Sequence, residues 1–121
     1  ERDHHGIATE WFGVAQTIAM LPLAGRSSSA VLTLPIPEAE RLAALGEAEL
    51  GRELSARYQW RLGAMRVTSS RHVYPLVTTY AKRFAVPGAA LIGDTAVGMH
   101  PVTAHGFNLG LRSAAELGRA I

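Results

Sequence analysis

Hydrophobic residues in the first third of the chain fall into three β-compatible runs. Residues 6–11 and 14–23 form the first two runs, which Gly13 separates, and residues 28–34 form the third after a turn at 25–27. Short apolar runs bounded by glycine and serine clusters are typical of strands joined by tight turns. The pattern therefore predicts three antiparallel strands.

In the next segment the hydrophobic residues recur at the spacing of a helix. Pro37 suits a first helical turn because its missing N–H would have no partner there, and the acidic residues after it favour the positive helix end. Gly46 breaks this helix, and residues 47–61 continue as a second helix that Gly63 stops. Spacings of three and four residues define the stripe of the second helix: Leu50, Leu54, Tyr58 and Arg61.

A β-like run resumes at residues 65–69 and continues through 71–77, with Pro75 placing it at a sheet edge or interrupting it. Farther along, residues 89–92 form a short apolar run that ends at Gly93-Asp94. This run predicts a buried strand with a carboxylate at its carboxyl end, which is where open α/β folds bind ligands.

A last helix is predicted from Gly106 onward, beside that carboxylate. The amino end of a helix carries unpaired N–H groups and a positive dipole end, which suit an electron-rich ligand. The apolar residues of this segment recur near helical spacing: Phe107, Leu111, Ala114, Ala115 and Leu117.

Composition limits the class of protein. The 121 residues are 48% hydrophobic, which supports one domain with a real core. Lys and Arg number 12 against 10 Asp and Glu, and these charges are interspersed, so no nucleic-acid-binding patch is expected. The chain has no cysteine, which suits a reducing compartment. Its longest apolar run, residues 18–23, is far short of the roughly 20 residues of a membrane helix.

Residues 91–111 resemble the second FAD-binding signature, the Gly-Asp motif, of the para-hydroxybenzoate hydroxylase class of FAD-dependent monooxygenases. The match runs through Gly93-Asp94, Pro101, Gly106 and Asn108, and the residues flanking them narrow it to the ubiquinone-biosynthesis flavin hydroxylases. The family usually has Ala-Ala-His where this chain has residues 95–97, and Gly-Gln-Gly where it has 104–106. A subgroup is similar to the form seen here.

The resemblance implies an α+β fragment of an α/β FAD-dependent monooxygenase. Residues 1–80 would supply a mainly antiparallel substrate-domain sheet with flanking helices, and residues 81–121 a strand, loop and helix of the FAD-binding domain. The chain begins with Glu1 instead of Met and lacks the Gly-x-Gly-x-x-Gly turn that holds the cofactor's pyrophosphate, so it is expected to be part of a longer protein.

The resemblance also implies where the cofactor binds. Asp94 would accept hydrogen bonds from FAD ribitol or ribose hydroxyls, and Pro101 would hold the loop under the flavin ring. The alternative for Asp94 is a turn or helix-cap residue, and for His100 and His105 a packed position in the loop. No catalytic side chain is assigned, but His105, Pro101 and Tyr74 are candidates near the flavin. The predicted cofactor-binding residues are Gly93, Asp94, Pro101, Ala104, His105, Gly106, Phe107 and Asn108.

In the family, NAD(P)H reduces FAD, O2 adds at flavin C4a, and the hydroperoxide transfers a hydroxyl group to an electron-rich aromatic ring. The resemblance therefore implies a cytoplasmic enzyme acting on a quinone precursor, with peripheral contact to the inner membrane left open. The pair His4-His5 invites a metal site, but the other histidines lack zinc-like spacing, so no metal is expected. The isolated chain is expected to be inactive and to self-associate. The alternative function is a non-catalytic, flavin-hydroxylase-like scaffold in a biosynthetic complex.

Overall fold

A computed structural model describes residues 2–101 and 104–121. The chain folds into two compact units, Glu1–Val73 and Tyr74–Ile121. The described part is a small α+β protein with antiparallel sheets and three α-helices, as the sequence predicts in outline.

The first unit contains a three-stranded antiparallel sheet in the order β1-β2-β3. Strand β1 spans Thr9–Gly13, β2 spans Gln16–Pro22, and β3 spans Ser28–Thr33. The register places Ile18 opposite both Trp11 and Leu32. The prediction of three antiparallel strands is confirmed.

The core of the first unit lies on one face of this sheet. Ile18 and Met20 on β2 are buried together with Tyr58, whose hydroxyl forms a hydrogen bond with the Thr9 hydroxyl. Trp11 packs against this cluster, together with Leu32, Leu62 and Met65. Trp11 therefore packs against the core of this unit, whereas Phe12, on the same strand, is 62% exposed.

Two helices follow the sheet. Helix α1 spans Ile36–Ala44 with Pro37 in its first turn, and α2 spans Glu47–Arg57 with Gly46 as its N-cap, so both predicted starts are confirmed. The predicted end of α2 at residue 61 is wrong. Gln59 and Trp60 adopt left-handed backbone angles, with φ of 54° and 55°, and the Trp60 N–H bonds back to the Ser55 carbonyl. A left-handed pair closes the helix four residues early.

Charged side chains join the two helices. Arg41 bonds Glu38 at 2.9 Å within α1 and Glu53 of α2 at 2.9 Å, and Arg57 also contacts both carboxylates. The Arg41 hydrogen bond is the largest cause that lowers the pKa of Glu38, to about 2, with Arg57 adding to the effect. Arg57 also donates to the Gln16 side chain at 2.8 Å, so the network reaches the sheet.

The segment after α2 packs on the helix and does not pair with a strand. The Met65 N–H donates to the Ser55 hydroxyl at 2.8 Å, and a methyl group at Gly51 would lie 2.6 Å from the Met65 carbonyl oxygen. The strand predicted at 65–77 is therefore wrong: residues 64–78 contain no regular strand. At Met65 the backbone N–H bonds a helix side chain instead of a strand, and strand propensity has an effect only where a neighbouring strand is available.

The second unit is built from short elements. Strand β4, Thr79–Tyr80, pairs with β7, Val97–Gly98, and strand β5, Ala85–Val86, pairs with β6, Ala89–Ala90. A 3-10 turn spans Gly93–Thr95. Helix α3 spans Gly106–Ala120, and its predicted start is confirmed.

The buried strand predicted at residues 89–92 is wrong in extent and in burial. Regular pairing stops after Ala90, and Leu91 and Ile92 are 45% and 37% exposed. A strand of an open α/β sheet is buried by neighbours on both sides, and in the described residues β6 pairs with β5 alone. None of the described helices is long and apolar enough to cross a membrane.

Candidate functional site

A cleft of about 590 Å³ lies in the second unit, between the Gly93–Thr95 turn and the amino end of α3. It takes in most of the predicted cofactor-binding residues, namely Gly93, Asp94, Pro101, Ala104, Gly106 and Phe107. The structure adds Met99, Gly110 and Leu111 to the lining, which the sequence analysis did not predict. Because residues three and four positions after Phe107 lie on the same face of a helix, helical spacing could have predicted Gly110 and Leu111 as lining residues.

The Gly-Asp turn presents its carboxylate to solvent. Gly93 has φ of 60°, in the left-handed region that glycine favours, and the Thr95 hydroxyl donates to the Ile92 carbonyl at 2.6 Å. Both features bend the chain sharply at Asp94. The Asp94 side chain is exposed, and none of the described residues donates a hydrogen bond to its carboxylate. Among the residues that the structure describes, this carboxylate therefore remains an acceptor available to a ligand.

The amino end of α3 forms the facing wall of the cleft. No side chain of the described residues caps this end at His105, and the first turn holds no acidic residue. A methyl group at Gly106 would meet no atom within 4 Å, so the backbone there is open to the cleft. Uncapped N–H groups at the positive end of a helix attract electron-rich atoms.

Small residues bring these two walls together. A methyl group at Gly110, on α3, would lie 3.4 Å from the Gly93 α-carbon in the turn. A longer side chain at Gly110 would therefore push the helix away from the Gly-Asp turn. The helix and the turn are also the most extensively packed pair of elements in this unit.

Pro101 and Ala104 border the cleft on the side of the motif's loop. The Ala104 N–H donates to the Pro101 carbonyl at 2.8 Å, and Ala104 has φ of 50°. A non-glycine residue in the left-handed region is strained, and such residues concentrate at functional sites. Residues 102 and 103 of the same motif lie outside the described residues.

Other predicted residues lie beside the cleft without lining it. His105 and Asn108 are exposed next to lining residues, and Tyr74 is also exposed. His100 lines a smaller hollow of about 230 Å³. This hollow shares Asp94 and Met99 with the cleft and is otherwise formed by Pro75, Leu76, Val77, Thr78, Thr79 and Gly98. The Gly-Asp turn thus separates two concave surfaces.

Comparison with known proteins finds several relatives that are named as hydroxylases. The chain is 47% identical over 114 residues to a ubiquinone hydroxylase, UbiM, of Neisseria meningitidis, and 40% identical over 117 residues to a ubiquinone hydroxylase, UbiL, of Rhodospirillum rubrum. It is 31% identical over 99 residues to the 3-demethoxyubiquinol 3-hydroxylase of Escherichia coli. These matches cover 94%, 97% and 82% of the chain.

The same matches cover 25%, 27% and 25% of the three relatives, so the chain spans about a quarter of their length. No family model matches the chain. The names of the relatives are those of hydroxylase enzymes of ubiquinone biosynthesis, and they confirm the resemblance seen in the Gly-Asp motif.

Proposed function

We propose, from the premise that the chain is homologous to a segment of the ubiquinone hydroxylases, that it forms part of an FAD-dependent aromatic-ring hydroxylase of ubiquinone biosynthesis. Residues 1–80 are assigned to its substrate domain and residues 81–121 to its FAD-binding domain. NAD(P)H would be the reductant, and an aromatic quinone precursor the substrate. The observation that carries the proposal is the cleft between the Asp94 carboxylate and the uncapped amino end of α3.

The Asp94 carboxylate fits the role of a diol acceptor. It is exposed at a turn that Gly93 and Thr95 hold in place, and it lacks a donor among the described residues. Vicinal hydroxyl groups on a ribityl or ribose chain offer two donors, and a carboxylate offers two oxygens to accept them. Asp94 would therefore hold the sugar-like part of FAD.

The amino end of α3 fits the electron-rich edge of a flavin ring. The backbone N–H groups of Gly106 and Phe107 would face that edge, and the open space at Gly106 permits close approach. Bound FAD would supply the redox chemistry, taking a hydride from NAD(P)H and activating O2 for ring hydroxylation. Fixed N–H dipoles stabilise negative charge at a ring edge without reorganisation.

The remaining lining is apolar. Met99, Phe107 and Leu111 give the cleft hydrophobic walls, which suit a flat ring and limit water around it. Among the described lining residues there is no serine, threonine or cysteine that could act as a hydroxyl or thiol nucleophile. The lining therefore supports binding and orientation of a cofactor, and the protein's part in the reaction is to position the two rings and exclude water.

The test uses the full-length protein that contains this chain. Asp94→Ala and Asp94→Asn are compared with the wild type for flavin content and for the FAD dissociation constant. Loss of hydrogen bonds to a charged group costs roughly 1.5–3 kcal/mol, so Asp94→Ala should weaken binding about ten- to a hundredfold. Glu116→Ala is the matched control, because Glu116 is an exposed carboxylate of the same unit that pairs with Arg119 on α3 and is not among the residues lining the cleft.

Wild-type protein that purifies without flavin and binds none would favour the scaffold over the enzyme. A flavin-containing wild type whose affinity is unchanged by Asp94→Ala would instead remove Asp94 from the site while leaving the enzyme in place. Hydroxylation of an aromatic quinone precursor with NAD(P)H and O2, absent without added FAD, would support the full proposal.

A further inference from the structure

The Gly-Asp turn is held from its carboxyl side by a second threonine. Strand β4 places Thr79 directly opposite Gly98 of β7, four residues after Asp94. A further hydrogen bond, from the Ala81 N–H to the Ala96 carbonyl at 2.8 Å, extends this pairing toward the turn. Strand β4 and the residue after it therefore anchor the loop that carries Asp94.

The Thr79 hydroxyl accepts one hydrogen bond and donates another. Its oxygen accepts a hydrogen bond from the Gly98 N–H at 3.1 Å, and its proton points to the Asp94 carbonyl oxygen at 3.5 Å, the long end of the hydrogen-bond range. A hydroxyl group can donate and accept at the same time. One side-chain atom thus connects both ends of the segment from Asp94 to Gly98.

Gly98 leaves room for this contact. A methyl group on Gly98 would lie 2.6 Å from the Thr79 hydroxyl oxygen and 3.4 Å from the Val77 carbonyl oxygen. Any other residue at position 98 would displace the hydroxyl from its place. The close approach of Thr79 to the loop therefore depends on the missing side chain at Gly98.

We propose that Thr79 is a positioning residue for Asp94: its hydroxyl fixes the turn so that the Asp94 carboxylate is presented to the cofactor cleft. Thr79 lines the smaller hollow and is not among the residues lining the cleft, so it acts through Asp94. This inference rests on the proposed function, because it assumes that Asp94 binds FAD. It adds a determinant of affinity outside the Gly-Asp motif.

The experiment measures FAD dissociation constants for full-length variants. Thr79→Val removes the hydroxyl at nearly constant volume, and Thr79→Ser keeps it. Thr78→Val is the matched control, because Thr78 is an adjacent exposed threonine whose side chain has no hydrogen bond among the described residues. Gly98→Ala is a second variant that keeps the hydroxyl but displaces it. Each of these four is made in the wild-type and Asp94→Ala backgrounds.

Loss of one neutral hydrogen bond predicts that Thr79→Val weakens FAD binding roughly two- to tenfold. Thr79→Ser should restore most of the affinity, Thr78→Val should leave it unchanged, and Gly98→Ala should weaken binding in the same direction as Thr79→Val. In the Asp94→Ala background the effect of Thr79→Val should disappear, since the two residues act through one contact.

Equal losses from Thr79→Val in both backgrounds would overturn the inference, because the threonine would then act on the fold and not through Asp94. Wild-type affinity in Thr79→Val would overturn it as well. Should Thr79→Val fail to fold, Gly98→Ala provides the same comparison of backgrounds. A wild type without FAD would refute the proposed function itself, whereas the outcomes above require a wild type that binds FAD.

Discussion

Ser55 joins helix α2 to the segment that follows it through one buried hydroxyl group. The side chain is only 1% exposed, and its hydroxyl donates to the Gly51 carbonyl at 2.7 Å and accepts from the Met65 N–H at 2.8 Å. In Ser55→Ala the Gly51 carbonyl keeps its helical hydrogen bond, but the Met65 N–H loses its acceptor. An unsatisfied donor of this kind costs roughly 1–3 kcal/mol.

Part of that cost is offset, because alanine forms helices better than serine by about 0.5 kcal/mol. We therefore expect Ser55→Ala to lower the free energy of unfolding by about 1–2 kcal/mol. The assay is urea unfolding of the purified chain followed by tryptophan fluorescence. Both tryptophans, Trp11 and Trp60, lie in the first unit, so the signal reports on this unit.

Ser70→Ala is the control, since the Ser70 hydroxyl is exposed and forms its hydrogen bond among the described residues with the exposed His72 ring, at 3.1 Å. A surface change of this kind should alter stability by less than about 0.5 kcal/mol. If Ser55→Ala and Ser70→Ala unfolded at the same urea concentration with the same slope, the buried hydroxyl would not be holding the segment after α2, and the reasoning would be refuted.

Three further predictions concern single positions. Gly51→Ala should destabilise the first unit by roughly 1–2 kcal/mol in the same assay, because the new methyl group would lie 2.6 Å from a backbone oxygen, and an unchanged urea midpoint would contradict this. The Glu38 carboxyl should titrate near pH 2 by NMR, since Arg41 lowers its pKa; its stabilisation is complete above the ordinary pKa of 4.5 and is lost as the pH falls toward 2, and a midpoint near 4.5 would contradict this. Gly106→Val in the full-length protein should abolish flavin incorporation with an unchanged circular dichroism spectrum, and Gly118→Val, on the same helix, should retain flavin at wild-type stoichiometry.

The elements that the sequence predicts well are those whose determinants are local. Glycine and serine turns delimit the three strands, and Pro37 and Gly46 mark two helix starts, so each boundary depends on residues beside it. The end of α2 is different, because Gln59 and Trp60 adopt left-handed angles that their side chains do not favour. The backbone hydrogen bond from the Trp60 N–H to the Ser55 carbonyl closes the helix there, and a propensity pattern does not show such a bond.

The same distinction applies to the candidate site. The Gly-Asp motif and the start of α3 locate most of the cleft lining, because both are contiguous in sequence. Thr79 was not found, because it lies outside the motif and its contact with Gly98 joins residues 19 positions apart along the chain. The predicted burial of Leu91 and Ile92 failed for a related reason: apolar residues are buried only if other elements cover them, and the described residues supply none.

The contact between Gly93 and Gly110 has a consequence for how this protein can drift over evolutionary time. Substitutions at positions 93 and 110 are not independent, because the turn and α3 approach each other closely at these two residues. Position 118, which faces open space, is free to accept many side chains, while position 110 should accept only the smallest. Among homologous genes we expect residue 110 to vary within glycine, alanine and serine, and any larger residue there to appear together with a compensating change in the turn.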